Sequence, residues 1–106
     1  MSKYLVQVNY VGEGIKGLLK EGGSSRQAVV EKLINSMDGR LESMYYAFGE
    51  TDLYIIADMP DNSSMAAVAL LVSSTGAVTV KTTVLMTPEE IDEAAKKTPI
   101  YSPPGH

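Results

Sequence analysis

Cysteine and tryptophan are absent from this sequence of 106 residues, and histidine and phenylalanine occur only once each. Without cysteine, the chain has no disulfides, no thiol nucleophile and no thiolate metal site. The only histidine is His106, so a catalytic triad cannot be built from the side chains of the domain. The core must therefore be filled by Val, Leu, Ile and Ala, together with six Met and six Tyr.

Long apolar segments and clusters of basic residues are also missing. The longest apolar run covers residues 65–72, whereas ~20 residues are needed to span a bilayer. Residues 1–10 lack the basic segment and the uninterrupted apolar run of a signal peptide. Thirteen acidic and nine scattered basic residues give a net charge of −4, which disfavours contact with nucleic acid and anionic lipid. We therefore expect a soluble, cytoplasmic protein with no nucleic-acid partner and no membrane partner.

Apolar and polar residues alternate in four segments, and this alternation predicts four strands. The strands are expected over residues 3–10, 40–48, 52–59 and 78–86. Helices are expected between the first and second strands, between the third and fourth, and briefly after the fourth. This order predicts an α+β fold, the ferredoxin-like βαββαβ sandwich, with a four-stranded antiparallel sheet and two helices on one face. We expect one domain over residues 1–97 and an extended proline-rich tail over residues 98–106.

Capping residues mark the predicted helix boundaries. Ser24, with Gln27 three residues later, resembles a capping box that opens a helix after two glycines. Gly39 is well placed to end that helix in the left-handed conformation. Thr87 and Glu90 enclose a proline at the first helical position, which predicts a second capping box at the start of the last helix.

Both faces of the predicted sheet carry apolar residues. Two helices cover one face only, so the other face should be polar if it meets water. The alternation instead places Leu5 on the second face of the first strand. It divides the second strand into Met44, Tyr46 and Phe48 on one side and Leu41, Tyr45 and Ala47 on the other. Two apolar faces are typical of a sheet packed against another sheet, so the sequence predicts a homodimer.

Residues 12–17 read GEGIKG and match the dinucleotide-binding pattern G-x-G-x-x-G. In a dinucleotide site the glycines open a full crossover helix of a parallel sheet, and an acidic residue ~20 positions later binds the ribose. Here only residues 18–21 separate Gly17 from two further glycines, Glu31 comes too early, and Glu42 lies near the start of a strand. We interpret the segment as a glycine-rich loop with one short helical turn, and we expect no cofactor.

Acidic residues cluster near the predicted hairpin between the second and third strands. Glu50 and Asp52 have the oxygen ligands to hold a divalent cation or the carboxylates to exchange protons with a substrate. Carboxylates are also ordinary residues of hairpin turns, and this interpretation is the simpler one. We therefore expect no metal site.

Basic residues that are able to clamp an anionic ligand occur at four places. They are Lys16, Arg26, Arg40 and Lys81. Lys81 lies in the middle of the fourth strand, on the face assigned to the dimer interface. We expect it either to pair with a carboxylate across the interface, such as Glu42 or Asp52, or to line an enclosed cavity.

Three stretches carry a resemblance to a known family: NYVGEGIKGLLKEGGSSRQAVVEKL, DGRLESMYYAFGETDLYIIADMPDNSS and GAVTVKTTVLMTPEEIDEA. Together they resemble the GYD domain family of small bacterial and archaeal proteins. The positions that match its pattern are Arg26, Gly39, Gly49 and Asp52. Thr51 stands where the family typically has a tyrosine, so the role of that tyrosine is absent here or moved to Tyr54. The resemblance implies a dimeric α+β barrel, a fold shared with cofactor-independent monooxygenases, isomerases and haem-dependent enzymes, and implies no particular reaction.

Two functions are compatible with these observations. The first is a non-catalytic small-molecule-binding or regulatory domain that works as a homodimer. Its candidate ligand-binding residues are Lys16, Arg26, Asp52, Tyr54 and Lys81. The alternative is a cofactor-independent enzyme, an isomerase or a monooxygenase, in which Asp52 or Glu50 takes a proton and Tyr54 or Lys81 stabilises the oxyanion. A structural domain with no ligand is a third possibility.

Overall fold

A computed structural model describes residues 1–105 and contains one four-stranded sheet. The elements follow one another as β1 (Ser2–Tyr10), α1 (Glu13–Glu21), α2 (Gly23–Ser36), β2 (Arg40–Tyr46), β3 (Leu53–Met59), α3 (Asn62–Ser74), β4 (Val78–Leu85) and α4 (Pro88–Ala95). The strands lie in the order β2-β3-β1-β4, and every neighbouring pair is antiparallel. The predicted ferredoxin-like α+β fold is therefore confirmed.

The core lies between the sheet and the helices α2 and α3. Alternate residues of β1 and β3 point to this side, because successive side chains of a strand point to opposite faces. The buried apolar residues are Tyr4, Val6, Val8, Ile34, Leu53, Ile55, Ala57, Met59, Met65 and Val68. The hydroxyl of Tyr4 donates a hydrogen bond to the side-chain oxygen of Asn62, so this large polar side chain is satisfied within the core.

A β-bulge changes which residues of β2 face the helices. Leu41 pairs with Ala57 and Met44 pairs with Ile55, while the register shifts between Leu41 and Ser43. Since Ala57 and Ile55 are both buried, Leu41 and Met44 share the helix-facing side. The simple alternation had assigned these two residues to opposite faces, and this was wrong for Leu41 because the bulge inserts one extra residue.

Helix ends follow the predicted chemistry at α4 and depart from it at α2. The Thr87 side chain accepts from the backbone N–H of Glu90, and the Glu90 side chain accepts from that of Thr87, so the second capping box is confirmed. The first capping box is wrong: α2 begins at Gly23 with Gly22 as its N-cap and has no side-chain cap. The chain there turns directly out of α1 through Gly22 at φ 84°, which leaves no free helix start for Ser24.

Gly39 does not end α2 in the left-handed conformation, as the sequence had suggested. The helix ends at Ser36, and Asp38 takes the left-handed conformation at φ 60°. Gly39 is required for a different reason, which is close packing. A Cβ atom there would collide with the sulfur of Met59, with the carbonyl oxygen of Asp58 and with the side chain of Ile34.

The segment GEGIKG forms the start of α1, a helix of nine residues, rather than a loop with one short turn. Gly12 has φ 52° and caps this helix. At Gly14 the backbone meets residue 77: the Val11 N–H donates to the Ala77 carbonyl over 2.9 Å, and a Cβ on Gly14 would overlap that oxygen. Gly12 is therefore required by its left-handed backbone and Gly14 by its contact with the Ala77 backbone.

These contacts give opposite expectations for two glycines of the same helix. Gly14→Ala is expected to lower the free energy of unfolding by about 2 kcal/mol, because the new Cβ meets backbone that cannot rotate away. Gly17→Ala has open space around it and should raise the free energy of unfolding by about 0.5–1 kcal/mol, because alanine favours the helix. Urea denaturation measures the free energy of unfolding of both variants. Equal effects of the two substitutions would contradict the close contact between Gly14 and the Ala77 backbone.

The C-terminal part of the chain is exposed along its described length. All described residues from Met86 onward are exposed, including Ile91, Ile100 and Tyr101. The radius of gyration is 17.1 Å, whereas a compact chain of 100 residues has about 13 Å. The segment therefore projects from the domain, and the division into a domain and a tail at residue 97 stays a prediction. Within residues 1–105, no helix is long and apolar enough to cross a membrane.

Candidate functional site

The two long helices leave a cleft above the middle of the sheet. Helix α2 packs on β2 and α3 packs mainly on β4, and these strands form the two edges of the sheet. Between the helices lies a cavity of about 100 Å³. Its floor is formed by Val6, Val8, Leu53 and Ile55, and its walls include Val30, Leu33, Val68, Ala69 and Val72. The cavity thus extends the apolar core up to the protein surface.

A wider cleft of about 490 Å³ continues from this cavity beneath α1. Both spaces share the residues Tyr10, Arg26, Val29, Leu33, Val72 and Val78. The wider cleft adds polar groups from α1, namely the side chains of Glu13 and Glu21. One continuous cleft therefore has an apolar inner part and a more polar outer part, which is the usual composition of a small-molecule site.

Tyr10 and Arg26 line both parts of the cleft, where Glu21 pairs with Arg26, and Tyr46 lies beside Tyr10 and Arg26. The Arg26 Nη1 atom lies 3.4 Å from the Glu21 Oε2 atom, and the Tyr46 hydroxyl donates to the Gly23 carbonyl over 3.4 Å. Burial, followed by the neighbouring hydroxyl of Tyr10, raises the pKa of Tyr46 to about 12, and the Arg26 guanidinium acts in the opposite direction. At neutral pH the Tyr46 hydroxyl is therefore a hydrogen-bond donor beside a guanidinium.

The five residues predicted to bind a ligand do not gather in one place. Arg26 lines the cleft, whereas Lys16 is exposed on α1 and pairs with Glu13 over 3.2 Å. Asp52 holds the end of the sheet, because its Oδ2 atom accepts from the backbone N–H of Tyr10 over 2.9 Å.

Tyr54 and Lys81 lie on the opposite face of the sheet, which we call the open face. Both pair in register with Gln7, so they stand in one row across the strands. The rows of the open face, read from β4 to β2, are Leu85-Lys3-Asp58-Arg40, Thr83-Leu5-Ile56-Ser43 and Lys81-Gln7-Tyr54-Tyr45. An apolar pair, Leu5 and Ile56, therefore lies between an ionic row and a row of mixed polar and aromatic residues.

The ionic row of the open face is centred on Asp58. This carboxylate accepts from Arg40 over 2.8 Å and from Lys3 over 3.0 Å, and Lys3 also pairs with Glu42. The hydrogen bonds from Arg40 and Lys3 lower the pKa of Asp58, and those to Glu42 and Asp58 raise the pKa of Lys3. The partners predicted for Lys81, Glu42 and Asp52, thus both have other partners within the chain.

Sequence reasoning identified Arg26 but missed Tyr10, Glu21 and Tyr46. Tyr10 continues the helix-facing alternation of β1, and its hydroxyl reaches the cleft because it lies at the end of the strand. Glu21 and Tyr46 come from a helix end and from the edge strand, and only the fold brings them to Arg26. Within residues 1–105, no group of three His, Cys, Asp or Glu side chains is arranged to hold a metal ion.

The antiparallel sheet, the two covering helices and the cleft between them define a ferredoxin-like α+β domain with one candidate ligand site. The chain belongs to the GYD domain family, whose model matches residues 4–95. The resemblance inferred from the sequence is thereby confirmed. No curated protein and no solved structure matches the chain.

Thr51, at the position where the resemblance implies a tyrosine, is buried. Its hydroxyl accepts a hydrogen bond from the Gln7 side chain over 3.3 Å. Gln7 is also the register partner of Tyr54, so Thr51 and Tyr54 both lie next to Gln7 of β1. Thr51 thus fixes the start of β3 on the open-face side and does not line the cleft.

Proposed function

We propose that the protein is a homodimeric domain that binds a small molecule in the cleft between α2 and α3. The observation that carries this proposal is an apolar cavity that penetrates the core and opens beside one guanidinium, that of Arg26. An empty apolar space inside a small domain loses packing contacts and so costs stability. A ligand that fills it would recover those contacts, and this is the physical reason to expect an occupant.

Dimerisation through the open face is the second part of the proposal. Leu5 and Ile56 form an apolar centre on a face that no helix covers, and Tyr54 and Tyr45 widen it. A second copy of the chain would cover this centre and leave the ionic row around Asp58 near the rim. Two sheets packed face to face about 10 Å apart would then form the core of the dimer.

The alternative, a cofactor-independent isomerase or monooxygenase, needs an enclosed carboxylate next to a bound substrate. Glu50 is exposed in the β2–β3 loop, and the carboxylate of Asp52 is engaged by the Tyr10 backbone. Tyr54 and Lys81, the expected oxyanion partners, lie on the face away from the cleft. Binding without catalysis is therefore the better supported function. The cytoplasmic location and the absence of a nucleic-acid partner stay predictions from charge and composition.

An environment-sensitive dye with an alkyl tail, such as N-octyl dansylamide, tests the cleft, because its tail can enter the inner cavity while its ring system stays in the outer part. We expect the dye to bind the wild-type protein, and Ala69→Phe to weaken binding at least tenfold by filling the cavity from its α3 wall. Ala67→Phe is the matched control, because residue 67 is exposed on the same helix and does not line the cavity. Dye fluorescence titrations measure both variants.

Unfolding transitions of the two variants show whether each is folded. Equal dye affinity in the wild type, Ala69→Phe and Ala67→Phe would place the dye elsewhere and would contradict the cleft as the binding site.

A further inference from the structure

We infer that the ligand of the cleft is an aliphatic monocarboxylate, whose alkyl chain enters the inner cavity and whose carboxylate replaces that of Glu21 on Arg26. This inference rests on the proposed function, because it names the ligand class of the same site. Three features of the cleft carry it: the composition of the inner part, the arrangement of charge at the junction, and the volume of the two parts.

The inner cavity offers no polar partner beyond the junction. Apart from Arg26 and the hydroxyl of Tyr10, every residue that lines it is apolar. A polar group that entered would lose its hydrogen bonds to water without replacement, which costs roughly 2–7 kcal/mol for an amide or hydroxyl. The inner end of the ligand must therefore be hydrocarbon.

The charges of the cleft select a single negative charge at the junction. Among residues 1–105, Arg26 is the only cation that lines either part, and its planar guanidinium suits a carboxylate. Glu13 and Glu21 also line the outer part, and their charges repel a second negative charge on the ligand. A carboxylate is favoured over a phosphate, since a phosphate monoester carries close to two charges at neutral pH.

The existing partner of Arg26 is held weakly. Charge-assisted N–H···O bonds are about 2.7–2.9 Å long, whereas the Arg26–Glu21 pair is separated by 3.4 Å and both side chains are partly exposed. Glu21 also ends α1, immediately before the turn at Gly22, so its side chain can move without disturbing the core. A ligand carboxylate can thus replace that of Glu21 on the guanidinium of Arg26.

The volumes favour an alkyl chain over a ring. The inner cavity holds about 100 Å³, less than the roughly 150 Å³ of an engineered apolar cavity that accepts benzene. The terminal methylenes of a narrow chain fit that space, and those nearest the carboxylate lie at the junction with the outer part of about 490 Å³. Octanoate is therefore a suitable probe.

Isothermal titration of the full chain with octanoate, octanol and octyl phosphate tests the inference. Octanoate should bind the wild type at least tenfold more tightly than either of the other two. Arg26→Gln should weaken octanoate binding at least tenfold and leave octanol binding unchanged. Glu21→Gln should strengthen octanoate binding several-fold, because it removes the competing carboxylate. Lys32→Gln, a charge change at an exposed residue of α2 that lines neither part of the cleft, should have no effect.

The outcomes separate the ligand class from the proposed function. If octanol binds as tightly as octanoate, or if the dye reaches the cleft and octanoate does not, the carboxylate inference is wrong and the binding function stands. If octyl phosphate binds best, the ligand carries phosphate and the inference is also wrong. If neither the dye nor any of the three probes binds, both the proposed function and the carboxylate inference are wrong. Arg26→Lys serves as a second variant should Arg26→Gln not fold, and it should retain only part of the affinity.

Discussion

Gly39→Ala is expected to lower the free energy of unfolding by about 3 kcal/mol, the upper end of the usual cost of overpacking. The added Cβ would lie 2.7 Å from the carbonyl oxygen of Asp58 and 2.9 Å from the Cγ2 atom of Ile34, and it would also meet the Met59 sulfur. Met59 is fully buried and Ile34 nearly so, which leaves neither side chain room to give way. Chemical denaturation followed by circular dichroism measures the change.

Gly49→Ala is the matched control for this prediction. Gly49 lies in the β2–β3 loop, where a Cβ meets no other atom within 4 Å and the backbone is not left-handed. Its substitution should change the free energy of unfolding by less than about 0.5 kcal/mol. If Gly39→Ala were as mild as Gly49→Ala, the close contact between the α2–β2 turn and β3 would be wrong.

Ile56→Asp is expected to raise the dissociation constant of the proposed homodimer at least 100-fold. Ile56 stands next to Leu5 at the apolar centre of the open face, and a second sheet packed there would bury the new carboxylate. The nearest cations, Lys3 and Arg40, already pair with Asp58 and Glu42. An uncompensated buried charge costs several kcal/mol, and about 2.7 kcal/mol corresponds to 100-fold in affinity. Sedimentation equilibrium measures the dissociation constant.

Leu70→Asp is the control for the dimer, because Leu70 is an exposed leucine on the outer side of α3. It introduces the same charge at a comparable apolar site away from the open face, and it should leave the dissociation constant unchanged. Dissociation by Leu70→Asp, with no effect of Ile56→Asp, would move the interface to the helices and overturn packing through the sheet.

Much of the fold could be predicted because its signals are local. The alternation along β1 is enough to assign Tyr4, Val6 and Val8 to one face of the sheet, and all three are buried. The capping box at Thr87 is recognised from four consecutive residues. The bulge of β2 escaped prediction because it depends on pairing with β3. The length of α1 was underestimated because the spacing of Gly12 and Gly14 resembles a loop, whereas Gly14 is glycine owing to its contact with Ala77.

The candidate site could be predicted only in part. Arg26 was identified because a guanidinium can clamp an anionic ligand. Lys16, Asp52, Tyr54 and Lys81 were grouped with it only because their side chains are polar, and the fold places them elsewhere. Tyr10 and Tyr46 meet Arg26 through the order of the strands and the crossover of α2, which no local pattern encodes. The charged group of the cleft could thus be predicted from the sequence, whereas the residues that surround it could not.

Native mass spectrometry of protein purified gently from cells is the sharpest test of an occupied homodimer, because it reports the number of chains and any retained small molecule together. We expect a dimer that carries additional mass, and Ala69→Phe should lose that mass while remaining a dimer. A monomer that carries no additional mass at micromolar concentration would contradict both the packing through the open face and the occupied cleft.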